Sequence, residues 1–159
     1  MHMAIAIVVG GESKEDALRT AKTTVEDYIV TENGFFDYDR DLTMDGKEIN
    51  GVVELTDVKT MTAISNLIEY QERDFKDACD KLRKMFKENT NDQIYNDSTK
   101  IASEFWYNAH VVSDRVGGSY RVFDCDAEPF LTLSEIEKFQ ESNRQMGRTA
   151  YVYFRDVHF

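Results

Sequence analysis

Between Asp57 and Phe86 the chain carries Met61, Ile64, Ile68, Phe75, Ala78, Leu82 and Met85 at three- and four-residue steps, with one step of seven across Gln71, and no Gly or Pro interrupts the stretch. That spacing places the apolar side chains on one stripe of a continuous α-helix. A helix over about 57–87 is roughly 45 Å long at 1.5 Å per residue. A single domain of 159 residues does not need that length. Part of the helix is therefore expected to project, or to pack on another helix. Met61, Ile68, Phe75 and Leu82 also fall seven apart, and Gln71 interrupts the second heptad position. Such patterning leaves a homodimer through the long helix as one reading. The simpler expectation is packing on the chain's own sheet and helices. The polar run Gln71–Glu72–Arg73 marks where the helix is expected to leave the core.

Shorter elements arrange themselves around this helix. Met3–Val9 is a short, apolar, partly β-branched run closed by Gly10–Gly11, which predicts a buried strand ending in a tight turn. A helix is expected over 14–29, with Ser13 and Asp16 as a capping pair. Asn33–Gly34, Asp45–Gly46 and Asn50–Gly51 are hairpin dipeptides, because both residues tolerate positive φ. They predict short antiparallel strands at 35–39, 42–44 and 51–55. Thr56 or Asp57 caps the long helix, and Asn89–Asp92 ends it. A second helix is expected from about Thr99 to Tyr107, capped by Asp97 or Ser98. Val111–Val112 and Tyr120–Cys125 then read as strands of a hairpin turning at Gly117–Gly118. Thr132 and Glu135 form a capping box for a last helix. The alternating run Thr149–Arg155 predicts a strand in the same sheet as the first. The expected fold class is α+β: one domain over 1–159, a mostly antiparallel sheet, and helices packed on one face.

Thirty acidic against 19 basic side chains give a formal charge of −11. This field repels nucleic acid and anionic membranes, so direct binding to either is not expected. Lys81, Arg83, Lys84 and Lys87 form the largest basic cluster, and acids on the same helix offset them. An acidic surface suits a basic protein partner or a divalent cation. Met3–Val9 lacks a cationic flank and is too short for a signal peptide or membrane span, which points to a cytoplasmic protein. Cys79 and Cys125, the two cysteines, are expected as reduced thiols.

The sharpest candidate site lies between Asp37 and Glu48. Asp37, Asp39, Asp41, Asp45 and Glu48 occupy positions 1, 3, 5, 9 and 12 of a twelve-residue calcium loop, with Met44 at position 8. Alternate carboxylates on a turning loop converge on one hard cation, so Ca²⁺ or Mg²⁺ is the implied cofactor. Position 6 is Leu42, where the turn demands Gly. The competing reading is a β-hairpin with its acids in solvent and no cofactor. Asp124, Asp126 and Glu128 form a second acidic comb, able to supply further Mg²⁺ ligands if the two combs meet. His2, His110 and His158 lack zinc-site spacing, although His2 and His158 approach if the terminal strands are neighbours. No nucleophile with a matching base can be named, which favours a protein that is not an enzyme.

Met1–Ala6, the aromatic-acidic Phe36–Asp37–Tyr38 and the closing Asp156–Val157–His158–Phe159 resemble small proteins of tailed phages. The resemblance covers about a dozen residues, and the Gly-Gly-Arg-Trp motif that usually follows the aromatic-acidic element there is absent. It implies a viral origin. The leading expectation is a small acidic interaction module, of the phage-inhibitor type, that engages a basic surface of a host protein. The alternatives are a Ca²⁺- or Mg²⁺-binding domain, including a metal-dependent enzyme acting on a phosphate ester, and a structural homodimer.

Overall fold

The computed structural model describes residues 2–31, 36–44, 47–96 and 100–158. The turns read at Asn33–Gly34 and Asp45–Gly46, and the Asp97 or Ser98 cap, fall outside these residues. Two ten-residue strands, β1 (His2–Gly11) and β7 (Thr149–His158), form the antiparallel centre of the sheet. In chain order between them come α1 (Lys14–Thr24), a π-helical turn (Val25–Ile29), β2 (Tyr38–Asp41), β3 (Thr43–Met44), β4 (Lys47–Glu48), β5 (Val52–Glu54), α2 (Val58–Glu88), α3 (Asn91–Asn96), α4 (Lys100–Ser113), β6 (Val122–Phe123) and α5 (Leu133–Gln145). Strands β2 and β5 lie along the outer edge of β7, both antiparallel to it. Strand β6 runs parallel to β1 at the opposite edge. The fold is α+β with a mostly antiparallel, mixed sheet, and β3–β4 form a separate two-stranded ribbon.

Helices cover both faces of this sheet rather than one. The reason lies in β1, which is apolar at nearly every position and so must be buried on both sides. Met3, Ile5, Ile7 and Val9 face Ala17, Ala21, Val25 and Ile29 of α1 and its π-helical extension. The alternate residues Ala6 and Val8 face Ala63, Ile64, Leu67 and Ile68 of α2 and Ile136 of α5. Gly10 and Gly11 do not end β1 in a turn; they pair with Ala150 and Thr149. Small size is what matters there. A Cβ on Gly10 would lie 1.8 Å from Asn143 Oδ1, and one on Gly11 would lie 2.9 Å from Ala17 Cβ.

Helix α2 has 31 residues and starts where the sequence places it. Asp57 Oδ1 accepts from the backbone N–H groups of Lys59 and Thr60 at 2.9 and 3.0 Å. Asp57→Ala removes this cap. The expected cost is about 1 kcal/mol, or a melting point lower by about 2–4 °C in calorimetry.

The first half of α2 lies on the sheet, and Gln71 marks its departure. Gln71 is 4% exposed. Its amide donates to Phe130 O at 2.7 Å and accepts from Arg121 N at 3.1 Å, at the end of the short ladder that residues 128–130 make with β6. Beyond it, α2 projects and α4 packs along it, with Phe86 and Phe105 edge to face at 5.6 Å. The two helices make an arm.

Three sequence expectations change at the local level. Val111–Val112 belong to α4, not to a strand, because the helix continues to Ser113. Gly117–Gly118 therefore turns no hairpin. Gly118 instead lies under the end of α4, where a Cβ would sit 2.1 Å from Asp114 O. Asn50–Gly51 joins β4 to β5 across two different sheets, with Gly51 at φ +80°, rather than linking paired strands.

Candidate functional site

Asp39 and Asp41 alternate along β2, so both side chains leave it on the α1 side of the sheet. They meet Arg155, which β7 projects on the same side. Arg155 Nε donates to Asp39 Oδ2, and its Nη1 donates to Asp41 Oδ1. The Arg155 side chain is 11% exposed, against 24% and 34% for the two carboxylates. One guanidinium thus bridges two neighbouring acids that would otherwise repel each other, and offsets half of their charge.

This ion-pair cluster forms one wall of a cleft of about 410 Å³. Tyr153 lies beside Arg155, whose guanidinium carbon is 5.0 Å from the ring centroid. Leu18, Lys22, Val25 and Glu26 of α1 and its π-helical turn form the opposite wall, and Asn50–Gly51 closes one end. A single π-helical turn is a recurrent device for re-aiming side chains at functional sites. Here it begins at Val25 and carries Glu26 into the cleft wall. Burial raises the Tyr153 hydroxyl above its ordinary range. Arg155 opposes that shift, and Asp39, Asp41 and Glu26 add to it. The hydroxyl therefore keeps its proton at neutral pH and can donate a hydrogen bond. Three carboxylates against Lys22 and Arg155 leave the cleft with a net charge of −1.

The other members of the acidic loop are dispersed. Asp37 is exposed and faces His158, with Oδ2 3.7 Å from Nδ1. Glu48 is exposed on β4, and Asp45 lies outside the described residues. Leu42, at the position where a calcium loop requires Gly, packs into the α2-side core. Asp39 and Asp41 lie on the extended strand β2 just before it, so they do not curl around one centre with Asp37 and Glu48. Among the described residues, no group of three His, Cys, Asp or Glu side chains is placed to hold a metal ion. A divalent cation at Asp39 and Asp41 would have to displace Arg155. Bound at about 100 times its Kd, a cation adds roughly 2.7 kcal/mol and several degrees to the melting point. With Arg155 in place, Ca²⁺, Mg²⁺ and Mn²⁺ are each expected to move the melting point by less than about 1 °C relative to EDTA.

The second comb serves its own loop. Asp124 Oδ1 accepts from the backbone N–H groups of Asp126 and Glu128, both at 2.9 Å. Ala127 completes this turn at φ 57°. The Glu128 side chain pairs with Arg115. Cys125 is a free thiol just past β6, raised above its usual pKa by burial and then by Asp126 and Asp124.

At one end of the sheet His2 and His158 do approach, with ring centroids 5.0 Å apart, and Tyr38 stacks on His158 at 4.7 Å. Asp156 takes the charge there, 3.2 Å from His2 Nδ1 and 2.8 Å from Arg40 Nη2. His110 is elsewhere, on α4 against Asp114.

Sequence reasoning missed Arg155, Tyr153, Lys22 and Glu26. One signal was available. Tyr151, Tyr153 and Arg155 alternate on one face of an apolar strand, and a cation on such a face requires an acid across from it. No protein-family model, characterised protein or solved structure matches the chain.

Proposed function

We propose that the protein is a small intracellular interaction module whose acidic body engages a basic surface of another protein. The distribution of charge carries this reading. Residues 75–113, which span the arm, contain six acids and six bases, so the formal charge of −11 belongs entirely to the rest of the chain. Glu12, Glu15, Glu26 and Asp27 are exposed just before α1, on it and on its π-helical turn. Glu26 also lines the cleft, where it, Asp39 and Asp41 outnumber Lys22 and Arg155. A Lys or Arg side chain entering there meets carboxylates and an aromatic ring, which is favourable for a partly desolvated cation. A body of this charge also presents carboxylates as a nucleic acid presents phosphates, which fits a phage-type inhibitor of a nucleic-acid-binding host protein.

The test is affinity capture at two salt concentrations, with the exposed Glu26 and Asp27 each changed to Lys in a matched control. Partners are expected to be lost between about 0.05 and about 0.5 M salt, as the screening length contracts to a few ångströms. The Glu26→Lys, Asp27→Lys chain is expected to capture less at the lower salt. A partner retained equally at both concentrations and by both chains overturns the reading.

A further inference from the structure

We propose that two copies of the chain pair antiparallel through the α2–α4 arm, with the apolar stripe of each α2 laid along that of the other copy. The inference is independent of the acidic body's partner.

The arm has a face that its own two helices do not cover. On α2, Phe75, Cys79, Leu82 and Phe86 follow one stripe at steps of four, three and four. Phe75 is 37% and Phe86 58% exposed, while Ala78 and Met85, one position away on the helix surface, are buried. Phe86 meets Phe105 of α4 edge to face, and Phe105 meets Trp106, itself 63% exposed, at 5.3 Å. The open surface therefore runs from α2 onto α4. Helix α4 is apolar around most of its circumference, which is the pattern of a helix covered on more than one side.

Two features of α2 select a second copy as the cover. The first is the spacing. Steps of four, three and four read the same from either end, so an antiparallel copy sets Phe75 against Phe86 and Cys79 against Leu82 in every layer. That is the self-complementarity a two-fold interface needs. The second is charge. From Glu69 to Asp80 α2 carries five acids and two bases, a net −3; from Lys81 to Glu88 it carries four bases and one acid, a net +3. An antiparallel pair lays the basic tip of each arm beside the acidic base of the other, twice over. A parallel pair sets like against like. Antiparallel arms also hold the two acidic bodies at opposite ends of the assembly, farther apart than the screening length of about 8 Å at physiological salt.

Sedimentation equilibrium of the full chain tests this. The expected mass is twice the 18.4 kDa of one chain. Phe86→Asp is expected to give a monomer with an unchanged far-ultraviolet spectrum, because the position is solvent-facing within one copy. Should that variant misfold, Trp106→Ser at another exposed position gives the same readout. Replacing Lys84 and Lys87 with Gln is expected to raise the dimer dissociation constant at least about fivefold, since each lost attraction occurs twice. A native chain that stays monomeric up to its solubility limit overturns the proposal, and so does a dimer indifferent to both apolar variants. A dimer tightened by the Lys84→Gln, Lys87→Gln change overturns the antiparallel arrangement.

Discussion

Gln71→Leu is expected to destabilise the protein by about 3 kcal/mol, although it completes the heptad pattern of α2. By periodicity alone, a Leu at this position improves the apolar stripe. The tertiary structure reverses the sign. Gln71 is buried where α2 crosses the end of a short antiparallel ladder between β6 and residues 128–130, in which Phe123 bridges Pro129 and Phe130 N donates to Val122 O at 2.8 Å. Its side chain spans the end of that ladder, between Arg121 and Phe130. One end donates to Phe130 O and the other accepts from Arg121 N. Leu leaves that backbone carbonyl and N–H buried without these partners. Each unsatisfied group costs about 1–3 kcal/mol, against roughly 1–2 kcal/mol returned by the added apolar burial. Urea unfolding is expected to show a lower midpoint with an unchanged slope, and calorimetry a melting point lower by about 6–12 °C. A variant within about 0.5 kcal/mol of the native chain would show that the amide does not hold the end of that ladder.

Arg155→Leu is the second large effect. Removing one partner of a buried ion pair costs about 3–5 kcal/mol, because it strands the opposite charge. Asp39 and Asp41 are 24% and 34% exposed, so solvent relieves part of that, and the expected loss is about 2–3 kcal/mol. Two carboxylates facing one cation make the effect asymmetric. Adding Asp39→Asn and Asp41→Asn to the Arg155→Leu chain is expected to recover at least about 1 kcal/mol, because the stranded charges are gone. A triple variant no more stable than Arg155→Leu alone would mean that Arg155 acts through packing on Tyr153 and not through charge. The same variants bear on function. If the cleft receives a basic side chain, Arg155→Leu frees carboxylates for it, and any weakening of partner capture at low salt must come from the altered cleft shape.

Several elements were legible because their causes are local. The three- and four-residue spacing of α2, its cap at Asp57, the reciprocal Thr132–Glu135 bonds that start α5, and the alternation in β7 each depend on residues a few positions apart. The acidic loop was legible only as composition. Asp39 and Asp41 stood out, but the residue that defines their chemistry lies 116 and 114 positions away in the chain. The calcium-loop spacing rests on side-chain identity alone. Whether carboxylates converge depends on the path of the backbone around Leu42, where Asp39 and Asp41 are held on β2 against Arg155 and Leu42 is partly buried against the α2-side core.

Local chemistry, then, fixed the long helix, its caps, the two terminal strands as strands and an acidic surface, since periodicity, capping and net charge need no distant partner. Contacts far apart in sequence decided the rest. Val111–Val112 have strand propensity, yet packing of α4 on α2 keeps them helical. Strands β2 and β5 have hairpin dipeptides beside them, yet both pair with β7, whose long exposed edge satisfies more backbone groups than a short hairpin can. Helices cover both faces because β1 is apolar on both. The role of Gln71 appears only where a helix passes the end of the ladder between β6 and residues 128–130, since a buried backbone group takes whatever partner the fold brings to it.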